Sequence, residues 1–268
     1  ACGKTYDATI AWDPAMVRGA LGQDDLYVQM SFLETLDNHG LDAAASEFHK
    51  TFAQADYPLC HANQKAWKNY WEGIEPPRSG SPEYSMHADD IDFQIEADFI
   101  GFMHPGMPQS SNRMCDTIGH IMCYGDGVYG GMFVSALYAE AFFESDIETI
   151  LHRALQSIPP ESQYAQCIQD VIAGHRQYPD DWKKTWQIVQ DRWGEVDLCV
   201  PEDAAGFNID AKINGAYIAM GLLYGDGDFA KTMEISLRCG QDSDCNPSNA
   251  AGVIGIVRGF SAIPEIWK

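Results

Sequence analysis

Two aspartates one residue apart, Asp242 and Asp244, lie in the loop "CGQDSDCNPSN" between two apolar, helix-like segments. Carboxylates held this close repel, and burial makes each harder to ionise, so the loop calls for a cation to offset them. A second acidic pair, Asp24 and Asp25 in "GQDDLYVQM", opens a helical pattern. Acidic residues at a helix start complement the macrodipole, which is a purely structural account of that pair. The chemical account is that it meets Asp242 and Asp244 in space. Four carboxylates would suit one or two hard cations such as Mg²⁺ or Mn²⁺, which prefer oxygen ligands.

Other arrangements can be tested on spacing. Asp242, Asp244 and Asn246 match the first three ligands of an EF-hand calcium loop, but the required glycine and glutamate are replaced by Pro247 and Val253, which rejects it. A third acidic pair, Asp89 and Asp90 in "SMHADDIDFQIEAD", is placed near the site; His87-Ala88-Asp89 is not the adjacent His-Asp of a metal phosphohydrolase. The glycine-rich "GDGVYGG" around Asp126 can bring backbone N–H groups to a ligand or form a tight connection between helices. It is not a Walker loop, because no G-K-[ST] follows. His120, four residues before Tyr124, reads on spacing alone as a core histidine.

Helical periodicity dominates the segments that must position these groups. Asp24 to His39 is one helix, with Gly40 as its stop, and Leu41 to Ala53 is a second. Gly73 to Ser85 is a Pro/Gly/Ser-rich loop, Ile91 to Met103 a central helix, and Met114 to Met122 another. "YGDGVYGG" breaks the pattern before a small-residue helix from Met132 to Phe143, and Asp146 caps the next, which Pro159 and Pro160 end. Trp182, Trp186 and Trp193 share one helical face suited to packing. Asp210 to Tyr224, Asp228 to Cys239 and Ser248 to Phe260 complete about ten helices, with Asn246 as N-cap and Pro247 in the first turn of the last. No strand pattern appears, so the fold class is all-α, a compact multi-helix bundle in one domain spanning residues 1–268.

Composition narrows the function classes. The chain has 268 residues, and its net charge of −22 argues against nucleic acid and anionic membranes as partners. No apolar run approaches the ~18 residues of a membrane span. The eight cysteines form no CxxC pair and lie in apolar contexts, which fits free thiols in a reducing, cytoplasmic compartment.

Four ordered stretches resemble the ADP-ribosylglycohydrolase family: "QDDLYVQMSFLETL", "PPRSGSPEYSMHADDIDFQIEADFIGFMHPGMP", "IGHIMCYGDGVYGGMFVSALYAEAFFESDIETIL" and "GLLYGDGDFAKTMEISLRCGQDSDCNPSNAAGVIGIVRG". The resemblance implies a compact all-α fold with two Mg²⁺ ions in a cleft, and hydrolysis of an N- or O-glycosidic bond to ADP-ribose or a related glycoside. It makes Asp24, Asp25, Asp242, Asp244 and Cys245 the metal-binding residues, with Asp25 as the catalytic base. Cys245 and Gln23 stand where the family often has threonine. Gln23, Asp90, His120, Gly127, Tyr129 and Gly130 are the expected substrate contacts. Family members usually begin with a glycine-rich helix bearing a further acidic residue, and this chain is expected to start after it, which leaves export open. The runner-up functions are a metal-dependent phosphohydrolase and a non-catalytic ADP-ribose or nucleotide-binding protein.

Overall fold

The first helix starts where the acidic pair predicts it: α1 is Asp24–His39, and Gly40 closes it at φ 82°. The computed structural model describes residues 23–54, 56–195 and 208–268. After α1 come α2 (Ala45–Ala53), α3 (His61–Trp71), α4 (Asp92–Glu96), α5 (Asp98–Met103) and α6 (Pro108–Gly119). Then follow α7 (Asp126–Ala141), α8 (Ile147–Ala154), α9 (Gln163–Gln177), α10 (Trp182–Trp193), α11 (Ala211–Gly225), α12 (Phe229–Cys239) and α13 (Cys245–Arg258). Among the described residues there is no strand, and only an isolated bridge joins Asp90 to Asp210. The fold is all-α.

Several boundaries differ from the sequence pattern: α2 starts at Ala45 rather than Leu41, α6 is Pro108–Gly119 rather than Met114 to Met122, and three further differences bear on the site. The expected helix from Ile91 to Met103 is split at Ala97, whose ψ of −3° interrupts the α-helical ladder between α4 and α5. The "GDGVYGG" stretch is the opening of α7, not a break. A Cβ at Gly127 would stand 2.5 Å from the Ala88 carbonyl, and one at Gly130 would stand 2.7 Å from Gln94 Oε1. These glycines let α7 press onto the segment that leads into α4. Finally, α13 begins at Cys245 with Asp244 as its N-cap residue, so Asn246 and Pro247 lie inside its first turn. Helices α3 and α9 lie in stretches where periodicity gives no helix. The Asp146 cap is present: its carboxylate accepts from the Thr149 N–H at 2.8 Å.

Two hydrophobic clusters flank α7. One gathers Phe32, Phe48, Phe52, Phe93 and Phe99 from α1, α2, α4 and α5; the other gathers Leu137, Tyr164, Tyr217 and Val253 from α7, α9, α11 and α13. Half-buried Met132 of α7 touches both. Each buried side chain of this size stabilises the fold by about 1.5–3 kcal/mol. Trp186 and Trp193 are buried and Trp182 packs against the second cluster, so that face is packing surface. Cys115, Cys123, Cys167 and Cys239 are buried free thiols; Cys2 and Cys199 lie outside the described residues. No helix among the described residues is long and apolar enough to cross a membrane.

One buried ion pair lies outside the motifs singled out above. Lys212 of α11 is buried and pairs with the Asp210 carboxylate, which is also buried. Asp89 and Asp126 bring two more carboxylates to this neighbourhood. Burial pushes the Asp210 carboxyl up to about 7 against the pull of Lys212, and burial likewise raises Asp126.

Candidate metal centre

Four helix starts from distant parts of the chain border one cleft of about 230 Å³. Asp25 comes from the first turn of α1, Cys60 and His61 from the start of α3, and Ile91, Asp92 and Ile95 from α4. Ile209 precedes α11, and Gln241, Asp242, Asp244 and Cys245 come from the loop that becomes α13. The residues at the N-cap positions of these four helices, Gln23, Cys60, Ile91 and Asp244, make no side-chain cap bond. The helix ends therefore present N–H groups and positive dipole ends to the carboxylates gathered there.

Two of those carboxylates do the capping from outside the N-cap position. Asp242 Oδ1 accepts from the Cys245 N–H at 3.0 Å and, more weakly, from Asp244 N at 3.4 Å. Asp92 Oδ1 accepts from Asn63 N in the first turn of α3, at 3.0 Å. These bonds fix the direction of each acid.

The D-x-D loop is held by its backbone. Gly240 and Gln241 adopt left-handed angles, φ 97° and 55°, which turn the chain sharply out of α12. Buried Asn214 of α11 then straps the loop down: its Oδ1 accepts from Asp242 N at 3.1 Å and from Asn246 Nδ2 at 2.8 Å. Its own amide donates to the Asn208 and Asp210 carbonyls.

The electrostatics match the strain expected of clustered acids. Burial, then the adjacent Asp244 carboxyl, pushes Asp242 up to about 7. Ligand atoms of Asp242, Asp244 and Cys245 all lie within 4.8 Å of one another. The Cys245 thiol donates to Asp25 Oδ2 at 3.3 Å, bridging residues 220 apart in sequence. Burial and the Asp242, Asp25 and Asp244 carboxylates push this thiol far above the usual range.

A model of the ADP-ribosylglycohydrolase family matches residues 6–268. The chain belongs to that family. ADP-ribosylglycohydrolases are hydrolases that act on ADP-ribosylated substrates and are generally metal-dependent. A comparison with curated proteins returns no significant match. The donor chemistry of the cleft fits this family's cation in part. Asp25, Asp242 and Asp244 offer the oxygen ligands a hard divalent ion takes, whereas the Cys245 thiol does not fit Mg²⁺.

Of the residues expected at an ADP-ribosylglycohydrolase site, the structure brings Asp25, Asp242, Asp244 and Cys245 together; the Asp24 side chain lies outside the described residues. Gln23, also outside the cleft lining, is exposed two residues before Asp25. The others do not line this cleft. Asp90 is buried with its carboxylate 2.7 Å from His87 Nδ1, and the neighbouring acid that faces the cleft is Asp92. His120 bonds the Asp116 carbonyl through Nδ1 at 2.7 Å and rests edge-on against Tyr124. Gly127 and Gly130 are close-packed against protein, which accounts for glycine there without a ligand, and Tyr129 is half-buried against the second cluster. Asp92, Cys60, His61 and Asn214 are the site residues that sequence patterns alone do not single out.

Proposed function

We propose that the chain is a divalent-metal-dependent hydrolase that cleaves an N- or O-glycosidic bond to ADP-ribose or a related glycoside. The observation that carries this reading is the meeting of Asp25 with Asp242 and Asp244 in one cleft, from opposite ends of a chain matched by the family over residues 6–268. Asp24, Asp25, Asp242 and Asp244 are the proposed ligands. A divalent ion held there supplies an acidified water and a grip on vicinal ribose hydroxyls.

The chain's own residues do the rest. Asp242 is oriented by the α13 N–H groups, and Asn214 keeps its loop from moving. Asp25 is the proposed general base. It takes a proton from the attacking water as oxygen bonds to the anomeric carbon, while the bond to the aglycone breaks through an oxocarbenium-like state and the departing aglycone takes up the proton that Asp25 has received. Exposed Gln23, two residues before Asp25, is the proposed substrate contact; His120 and Tyr129 would reach only a part of the substrate that extends beyond the cleft.

The deciding experiment incubates the protein with ADP-ribosylated arginine, ADP-ribosylated serine and small glycosides, with chelator or with divalent metal, and identifies products by mass. Metal-stimulated release of the free sugar supports the reading. Release of phosphate instead establishes a phosphohydrolase, and binding without product a non-catalytic ADP-ribose protein.

Metal should also stabilise the fold. Clustered carboxylates repel without a cation, and an ion that binds only the folded state adds about 2.7 kcal/mol at a concentration near 100 times its dissociation constant. Thermal melts in chelator and in millimolar Mn²⁺ should therefore separate clearly. Superimposable melts, with no metal found by elemental analysis, would count against a cation at this site.

A further inference from the structure

The thiol at residue 245 disagrees with a magnesium site. It is half-buried, its sulfur shares a 4.8 Å neighbourhood with the Asp242 and Asp244 carboxylates, and it is held against Asp25. A zinc ion bonds carboxylate oxygen at about 2.0–2.2 Å and thiolate sulfur at about 2.3 Å, so a small rotation of these side chains would bring all three onto one ion. Magnesium demands near-octahedral oxygen coordination and keeps its waters, whereas thiolate ligands select ions of the zinc class.

The same cleft wall carries two more borderline or soft donors, Cys60 and His61, at the start of α3. The cleft thus combines two sulfurs and one imidazole with four carboxylates, Asp25, Asp92, Asp242 and Asp244. An all-oxygen ion has no use for the first three. Resting on the reading of this cleft as a metal centre, we propose that Cys245 is a metal ligand and that the ion beside it is thiophilic, of the Zn²⁺ class rather than Mg²⁺. The Sγ–H bond breaks as the sulfur–metal bond forms, and the proton passes to solvent. The competing account leaves the thiol protonated, as a donor that merely steers Asp25.

Cobalt reports the difference without any activity. Chelator-treated protein titrated with Co²⁺ should develop a near-ultraviolet sulfur-to-cobalt charge-transfer band. The band should be absent in Cys245→Ser and present in Cys60→Ser. Zn²⁺ should abolish it at stoichiometric amounts, and a roughly hundredfold excess of Mg²⁺ should not. Zn²⁺ but not Mg²⁺ should also protect Cys245 from alkylation, read on its own peptide by mass spectrometry. Loss of Cys245 should weaken Zn²⁺ at least about tenfold and leave Mg²⁺ affinity nearly unchanged.

Cobalt bound with no thiolate band in the unmodified protein, or displaced by Mg²⁺ as readily as by Zn²⁺, overturns the inference. If Mg²⁺-stimulated glycosidic turnover accompanies that result, the parent reading stands and only the thiolate ligand falls. A thiolate band with no glycosidic turnover under any metal does the reverse. No binding of Co²⁺, Zn²⁺ or Mg²⁺ overturns both.

Discussion

Asp242→Asn should abolish the proposed glycosidic turnover and leave the helical fold in place. The amide keeps an oxygen where Oδ1 accepts from the Cys245 and Asp244 N–H groups, so α13 remains capped. What disappears is the charge that would bind the cation. Losing a partner one shell further from a metal already costs about 10–100-fold in affinity or activity, so losing a charged ligand should exceed 100-fold. The metal-free protein should respond in the opposite sense. Asp242 sits at about 7 when folded, above its unfolded value, so it costs stability as pH rises from about 4 to about 7 and keeps that cost above 7. Asn removes the cost. Chelated Asp242→Asn should therefore melt above the unmodified protein at pH 8, by on the order of a few kcal/mol, and alongside it at pH 4. Metal-stimulated turnover within tenfold of the unmodified protein would sink the assignment.

Lys212→Met should produce the largest loss of stability from one substitution away from the cleft. Truncating one partner of a buried ion pair leaves the other charge uncompensated and typically costs about 3–5 kcal/mol. Here Asp210 is the direct partner, while Asp89 and Asp126 add nearby negative charge. Without the ammonium, Asp210 and Asp126 lose the influence that lowers their pKa and rise further above their unfolded values. The deficit must then grow with pH: smallest near 4, where the folded Asp210 carboxyl is protonated with or without Lys212, and larger at 8. Urea titrations at the two pH values test this, and Asp210→Asn in the Lys212→Met background should recover part of the loss. A deficit independent of pH would mean that packing, not charge, is what Lys212 supplies.

Part of this site is legible in the sequence because part of it is local. The D-x-D spacing, the glycine that ends α12 and the acidic start of α1 are each signals read within a few residues, and each falls where a helix ends or begins. Asp92 is harder. "HADDID" offers three acids, and which one faces the cleft is fixed by where α4 begins and by its early end at Ala97, both consequences of packing against α7. Asn214, Cys60 and His61 act through contacts with loops far away in sequence, and no period or motif marks them. Lys212 did leave a trace: a lone cation in the apolar run "IDAKINGAYIAMGLL" must find a buried acid, and Asp210 is two residues away. The opening of α7 misleads for a related reason. Its glycines look like a loop when judged alone, and become helical once the neighbouring backbone they accommodate is known.

The contact between Cys245 and Asp25 joins the first described helix to the last, across 220 residues. An ion gripped by both would work as a clasp on the chain. A permanent fastening around a loop this long would remove roughly 5 kcal/mol of freedom from the unfolded chain in the chain-entropy model. A reversible one contributes in proportion to its occupancy. Its first effect when opened is local: α1 is the helix it fastens, while α13 stays packed on α11, α12 and α7. Metal supply would thus set how firmly α1 and α13 are buttoned together.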